Sequence, residues 1–235
     1  MENTKIKGVI FDYGGTIDSR GVHWSEVIWD AYRDADVPVT KEQFRECYVF
    51  AERELAKVRH ILPHHNFYDL LLIKMRIEIA YLVDNKMLPA DYPVEEKALH
   101  TALYCYNRAK ESIAEARSTL DFIHERLPMV LVSNFYGNIH QVLNEFDLDG
   151  LFDSIIESAV VGVRKPDPAI FTLGVNALGM AAEDTVVVGD SYTKDIVPAH
   201  AAGCHTVWFK GEAWTEEIFD ESIPDRIITD LSDLL

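Results

Sequence analysis

In the stretch VIFDYGGTIDS an apolar run ends in a single acid, Asp12, and the chain then turns through Gly14 and Gly15. Two other apolar runs end in polar residues in the same way, PMVLVSN at Ser133 and Asn134, and TVVVGD at Asp190. Such residues matter if the runs are parallel strands, because ligands of these sheets bind in the crevice beyond the carboxyl ends. Carboxylates that meet in a crevice repel unless a cation or a shared proton relieves them. A hard divalent ion is the natural relief, since Mg²⁺ prefers carboxylates, water and substrate phosphate as ligands. A site that handles phosphate is therefore expected, on condition that the strand ends converge. A single strand-end aspartate reads equally well as a helix cap or a turn residue.

The elements that must position these residues follow from the hydrophobic period. KGVIFDY, halted by Gly-Gly, reads as a buried strand ending in a tight turn. Residues 24–107 repeat their apolar positions at helical spacing through VIWDAYRDA, EQFRECYVFAERELAKV, FYDLLLIKMRIEIAYLV and EEKALHTALYCYNRA. These predict about four helices and no strand, with breaks at VPVT, ILPHHN and LPADYP, where prolines or cap residues such as Thr40 and Asn66 stand. Beyond residue 110 strands alternate with helices: PMVLVSN, NIHQVLNEF, DSIIES, PAIFTLGVNAL, TVVVGD, TKDIVPAHAA, HTVWF and DRIIT. Alternation of this kind marks a parallel sheet covered on both faces. The expected fold is α/β, a Rossmann-like doubly wound parallel sheet core built from residues 1–19 and 108–235, with residues 20–107 inserted as an all-helical domain.

Composition narrows the partners. The chain has 235 residues, 48% of them hydrophobic, enough for a sizeable core. With 39 acidic against 22 basic residues its formal charge is −17, which argues against nucleic acid or an anionic membrane as partner. Cys47, Cys105 and Cys204 are far apart and in no CxxC spacing, so buried free thiols are expected and a disulfide framework is not. No apolar stretch approaches the ~20 residues needed to span a bilayer, and a cytoplasmic location is expected. A monomer and a homodimer are equally compatible with the sequence.

Taken in order and spacing, VIFDYGGT, LVSN, VRKPDP and VVVGDSYTKD resemble the four signature motifs of the haloacid dehalogenase-like hydrolase superfamily. The resemblance takes in essentially the whole chain and makes the helical insertion a cap. It implies that Asp12 is a nucleophile that forms an aspartyl-phosphate, splitting one hard displacement into two. Ser133 and the amide of Asn134 would hold the phosphoryl oxygens, where donors stabilise transition-state charge. Lys165 would be a point charge beside both the phosphoryl group and the nucleophile. The implied Mg²⁺ set is Asp12, the backbone carbonyl of Gly14, Asp190 and Asp195, with Asp195 serving the metal or Lys165. Asp195 also reads as a first-turn helix acid favoured by the macrodipole.

One position departs from the pattern. Most phosphatases of the superfamily carry a second aspartate two residues after the nucleophile, acting as general acid and base, and here that position is Gly14. General acid–base catalysis typically supplies ~10²–10⁴ in rate, which is roughly 3–5 kcal/mol of barrier. The loss can be met by a substrate with a good leaving group, by another acid, or by abandoning catalysis for binding. Asp18 in TIDSRG faces the site or opens a turn, and VRHILPHHN gathers Arg59, His60, His64 and His65 where a cap loop would cover substrate. The HxxxHH spacing there has no third ligand to suggest zinc. The leading expectation is a Mg²⁺-dependent phosphatase of a small phosphorylated metabolite. The alternatives are a metal-independent 2-haloacid dehalogenase and a catalytically weak relative that binds a phosphorylated ligand.

Overall fold

The computed structural model describes residues 6–214 and 218–235. Six parallel strands form one sheet in the order β3-β2-β1-β4-β5-β6, with β1 Gly8–Phe11, β2 Met129–Ser133, β3 Ser154–Glu157, β4 Thr185–Gly189, β5 His205–Phe209 and β6 Arg226–Ile228. All residues of β1 and β2 are buried, as expected for strands covered on both faces. Side chains alternate between two cores: Val9, Phe11, Met129, Leu131 and Val188 face one, and Ile10, Val130, Val132 and Val187 the other. The second core is closed by α7 (Ala169–Leu178) and α8 (Val197–Ala201), through Ile170, Phe171, Val175 and Ala199.

Four long helices lie between β1 and β2 in the chain: α1 Trp24–Asp34, α2 Lys41–Lys57, α3 Phe67–Asp84 and α4 Val94–His124. The cap residues read from the sequence do that work. Thr40 and Asn66 each accept from the backbone three residues on, and Gln43 and Asp69 reciprocate as capping boxes. The first core runs from the sheet through Tyr13 and Ile17 into these helices, at Tyr32, Phe44, Met75 and Ala102. The expected doubly wound α/β architecture is therefore present. The last helix of the block differs from expectation: the pattern ends near residue 107, but α4 is 31 residues long in all and runs on to His124. Its later turns keep an apolar face at Ile113, Ala116 and Leu120, which packs into the same core, so nothing breaks the helix.

The short helices α5 (Ile139–Glu145) and α6 (Ser158–Val161) complete the crossovers on either side of β3. TKDIVPAHAA, expected as one helix, opens instead with a π-helical turn, Tyr192–Ile196, before α8 begins. All three cysteines are free and buried, and among the described residues no helix is long and apolar enough to cross a membrane.

Within the helical block Glu78 of α3 is wholly buried; its Oε2 accepts from the Tyr32 hydroxyl at 3.1 Å, while Oε1 has no partner. Burial pushes this carboxyl from 4.5 up to about 7, against the pull of Lys74 and the Tyr32 bond. The folded state therefore keeps a proton that the unfolded chain has lost, and stability falls as pH rises from about 4.5 to about 7. Glu78→Gln should remove this component. Its melting temperature, relative to the parent, should climb across that interval and level off above it, and a pH-independent difference would refute the assignment.

Candidate active site

Three strand ends meet at one edge of the sheet. Asp12 follows β1 directly and its amide donates to the Val188 carbonyl of β4 at 3.0 Å; Ser133 closes β2; Asp190 follows Gly189 at the end of β4. The β1 register, with Phe11 opposite both Leu131 and Val188, sets these ends side by side. Lys165 arrives from the segment between α6 and α7, strapped to β2 by the Asn134 side chain. Asn134 Nδ2 donates to the Lys165 carbonyl at 3.0 Å, and the Lys165 amide donates to Asn134 Oδ1 at 2.9 Å.

Thus delivered, the Lys165 ammonium lies 2.5 Å from Asp12 Oδ1 and 2.6 Å from Asp195 Oδ1, with all three side chains buried. The π-helical turn aims Asp195 inward, where its Oδ2 accepts from the Ser191 amide at 3.0 Å. The Thr16 hydroxyl lies 3.1 Å from Asp12 Oδ2 and from Asp190 Oδ1 and accepts from the Asp190 amide at 3.0 Å. Having one proton, it can donate to only one of the two carboxylates at a time.

The charges do not balance. Oxygen atoms of Asp12, Asp190 and Asp195 lie within 4.8 Å of one another, and one lysine serves them. Burial lifts the Asp12 carboxyl to about 6, with Lys165 pulling the other way. Asp190 is held well above the ordinary carboxylate range, first by burial and then by the charges of Asp195 and Asp12. For Lys165, burial opposes its charge, but the two aspartates overcome it and hold the ammonium above the usual lysine range. Three hard oxygen donors carrying surplus negative charge are suited to a divalent cation.

These residues wall a cavity of about 140 Å³ together with Gly14, Ser133, Asn134 and Asp18. Asp18, only 1% exposed, is the least expected occupant. Its Oδ1 accepts from the Gly15 amide at 2.7 Å and from the Trp24 indole at 3.0 Å, while its buried Oδ2 has no partner. Burial pushes the carboxyl to about 7, against the Gly15 and Trp24 bonds.

The helical block supplies wall residues that sequence reading missed: His23, Trp24, Tyr48, Glu52, Phe67 and Lys74. Lys74 is buried, pairs with Glu52 and sits 4.3 Å from the Tyr48 ring centroid, and the Tyr136 hydroxyl donates to Glu52 at 3.2 Å. A lone lysine within the apolar run LLLIKM was the available signal, since an unpartnered charge is not buried there. Burial, then Lys194 and Lys74, lower His23 to about 4, so it is neutral at physiological pH.

The expected cap histidines do not reach the cavity. His60 pairs with Glu54 at 3.0 Å, His65 Nδ1 accepts from the Leu62 amide at 3.1 Å, and His64 packs its ring against His65. Their own turn consumes them. Arg59 lines a neighbouring groove and not the Asp12 cavity.

Comparison with known proteins gives the class. Residues 6–203 match the haloacid dehalogenase-like hydrolases, and the chain belongs to that family. A glyceraldehyde 3-phosphate phosphatase of Pyrococcus abyssi is 30% identical over 148 residues, 63% of this chain and 58% of that protein. The HAD-hydrolase YfnB of Bacillus subtilis, solved bound to magnesium, aligns with a TM-score of 0.60 at 18% identity, covering 98% of this chain and 97% of that one. The L-2-haloacid dehalogenase RSc1362 aligns at 0.63 and 23% identity, with the same coverage. The matched stretches span 38%, 58% and 49% of the first three curated relatives, less than two thirds of each. At these identities the solved structures share the fold, which does not choose between their chemistries.

Gly15 tests the packing of the cluster. Its φ of 99° lies in the left-handed region, and a Cβ there would run into the Asp190 carboxylate. Gly15→Ala should lower stability by about 1–3 kcal/mol in chemical denaturation. An undisturbed midpoint would show that the turn has room that the geometry denies it.

Proposed function

We propose that the chain is a Mg²⁺-dependent phosphatase of small phosphorylated metabolites, with Asp12 as nucleophile and Asp18 as the acid that Gly14 does not provide. The observation that carries this reading is the excess of carboxylate over lysine at the strand ends, where Asp12, Asp190 and Asp195 come within 4.8 Å. A haloacid dehalogenase handles a substrate that is itself a carboxylate, and additional buried acids would repel it. A phosphatase uses them to hold a cation.

The donor set fits Mg²⁺, which takes one or two carboxylates and a backbone carbonyl readily. Asp12, Asp190 and the Gly14 carbonyl would hold it; Asp195, with both oxygens engaged by Lys165 and the Ser191 amide, serves chiefly to anchor Lys165. When bound, the ion offsets negative charge on the carboxylates and on the phosphoryl oxygens.

The remaining work falls to the chain. Lys165 keeps the Asp12 carboxylate charged and oriented; a carboxylate oxygen attacks phosphorus, and the bond to the leaving oxygen breaks, giving an aspartyl-phosphate. Ser133 and the Asn134 amide hold the phosphoryl oxygens. Asp18 has its Oδ1 tied by two N–H donors, so its proton would reside on the buried Oδ2, and passing it to the leaving alkoxide requires the carboxyl to turn toward the cavity that Asp18 lines. The same carboxylate then takes a proton from the water that hydrolyses the acyl phosphate. The helical block acts as a cap, its residues Trp24, Tyr48 and Phe67 walling the cavity and excluding bulk water.

Asp12→Asn should abolish Mg²⁺-dependent hydrolysis of p-nitrophenyl phosphate with the circular dichroism spectrum unchanged, and retained turnover would sink the nucleophile. Asp18→Asn should cut kcat on an alkyl phosphate by ~10²–10⁴, yet only a few-fold on p-nitrophenyl phosphate, whose leaving group needs no proton. In the parent, alkyl phosphate turnover should decline as pH rises through about 7, where Asp18 loses its proton. Equal losses on both esters would refute the acid role.

A further inference from the structure

Beside the Asp12 cavity lies a larger groove of about 650 Å³, continuous with it through Glu52, Asn134, Phe135, Tyr136 and Lys194, which line both. Four cations border it, Lys57, Arg59, Arg164 and Lys194, all exposed and contributed by four places in the chain: the end of α2, the turn after it, the segment before Lys165, and the π-helical turn. Elsewhere on the surface some cations pair with acids, as Arg20 does with Glu115, Arg76 with Glu95 and Arg117 with Asp121, and others, such as Arg53, Lys86 and Lys110, stand singly; what sets the groove apart is that four meet there. Among the described residues none of the four groove cations has a carboxylate within ion-pair distance. The one acid in the groove, Glu52, is occupied by Lys74 and Tyr136.

A chain of charge −17 offers acids in abundance, so four unpaired cations converging on one groove are notable for what they leave available. The Asp12 cavity has room for little beyond a phosphoryl group and a short stem. A substrate that extends from that stem past Asn134 and Tyr136 enters the groove. Large polyanions are turned away by the acidic surface at long range, which leaves a small molecule as the occupant.

We propose that the groove is a subsite for a second anionic group of the substrate, a phosphate or carboxylate a few bonds from the phosphoryl group that is removed. The proposal rests on the phosphatase reading and names its substrate class, doubly anionic phosphorylated metabolites. Arg59 and Arg164 present planar guanidinium groups suited to bidentate capture of either anion.

The test compares n-propyl phosphate with two esters of the same stem, 3-phosphooxypropionate and propane-1,3-diol bisphosphate. The parent should favour at least one doubly anionic ester by ~10-fold or more in kcat/KM, the yield expected of a charge-assisted hydrogen bond. Which of the two gains more tells carboxylate from phosphate. In the Arg59→Ala/Arg164→Ala double variant that ratio should fall toward unity, and in Arg59→Glu below it. The ratio cancels any general loss of activity. A parent that treats all three esters alike, or a double variant that keeps the ratio, overturns the subsite. If none of the three esters nor p-nitrophenyl phosphate is hydrolysed, the phosphatase reading fails separately. Calorimetric titration of the bisphosphate and of propyl phosphate into the parent and the double variant then decides the groove by the same ratio.

Discussion

Among the described residues Lys165 is the cation that pairs with the converging carboxylates, at Asp12 and Asp195, and the rest of the site is organised around burying it. A buried ammonium is tolerated only when paired and hydrogen-bonded, so the chain brings acids from opposite ends of its sequence. Asp12 comes from the first strand and Asp195 from a turn after the fourth, 2.5 and 2.6 Å from the same nitrogen. Delivery of the lysine depends on Asn134, whose side chain grips the Lys165 backbone as donor and acceptor. A residue proposed to serve the phosphoryl group through its amide thus also acts through its side chain as a strap.

This arrangement restricts the backbone around it. Gly15 must be glycine because its φ is left-handed and Asp190 occupies the space a Cβ would need, and Gly189 because Asp195 Cβ lies 2.5 Å from where its own would be. The parallel sheet is equally necessary, since β1, β2 and β4 are adjacent and point the same way, so three polar ends fall in one crevice. Chemistry and fold share a cause: the excess of negative charge is tolerable only where strand ends, a buried lysine and room for a cation coincide.

Much of this was legible beforehand. Strands with continuous β-branched runs, such as VVVG, and helices with cap residues at Thr40 and Asn66 carry their signals within a few residues. Asp12, Ser133 and Asp190 could be named as candidates because each ends a strand run, whereas Lys165 and Asp195 are named through the resemblance of VRKPDP and GDSYTKD to the superfamily motifs. The cavity wall from the helical block could not, because Glu52 and Lys74 lie on different helices and acquire meaning only when α2 packs on α3. Histidines misled for the opposite reason. Clustered in sequence at a break, they are engaged locally: His60 pairs with Glu54 of α2, His65 takes the Leu62 amide and His64 packs on His65, and none of them lines the Asp12 cavity.

Gly14 is not demanded by packing. A Cβ there would have only the Trp24 ring near it, at 4.0 Å, so a side chain would fit where the superfamily usually places its acid. The same Trp24 donates its indole N–H to Asp18, which stands four residues after Gly14 and lies in the same cavity wall. An aspartate at position 14 would add one more charge to a crevice in which Asp12, Asp190 and Asp195 already meet and Lys165 pairs with two of them. Asp18 avoids that cost, since burial lifts it to about 7 and the carboxyl keeps its proton over much of the working range. The acid proposed for proton donation is thus set farther along the turn, where burial keeps it neutral below about pH 7 and it adds no charge to the cluster there.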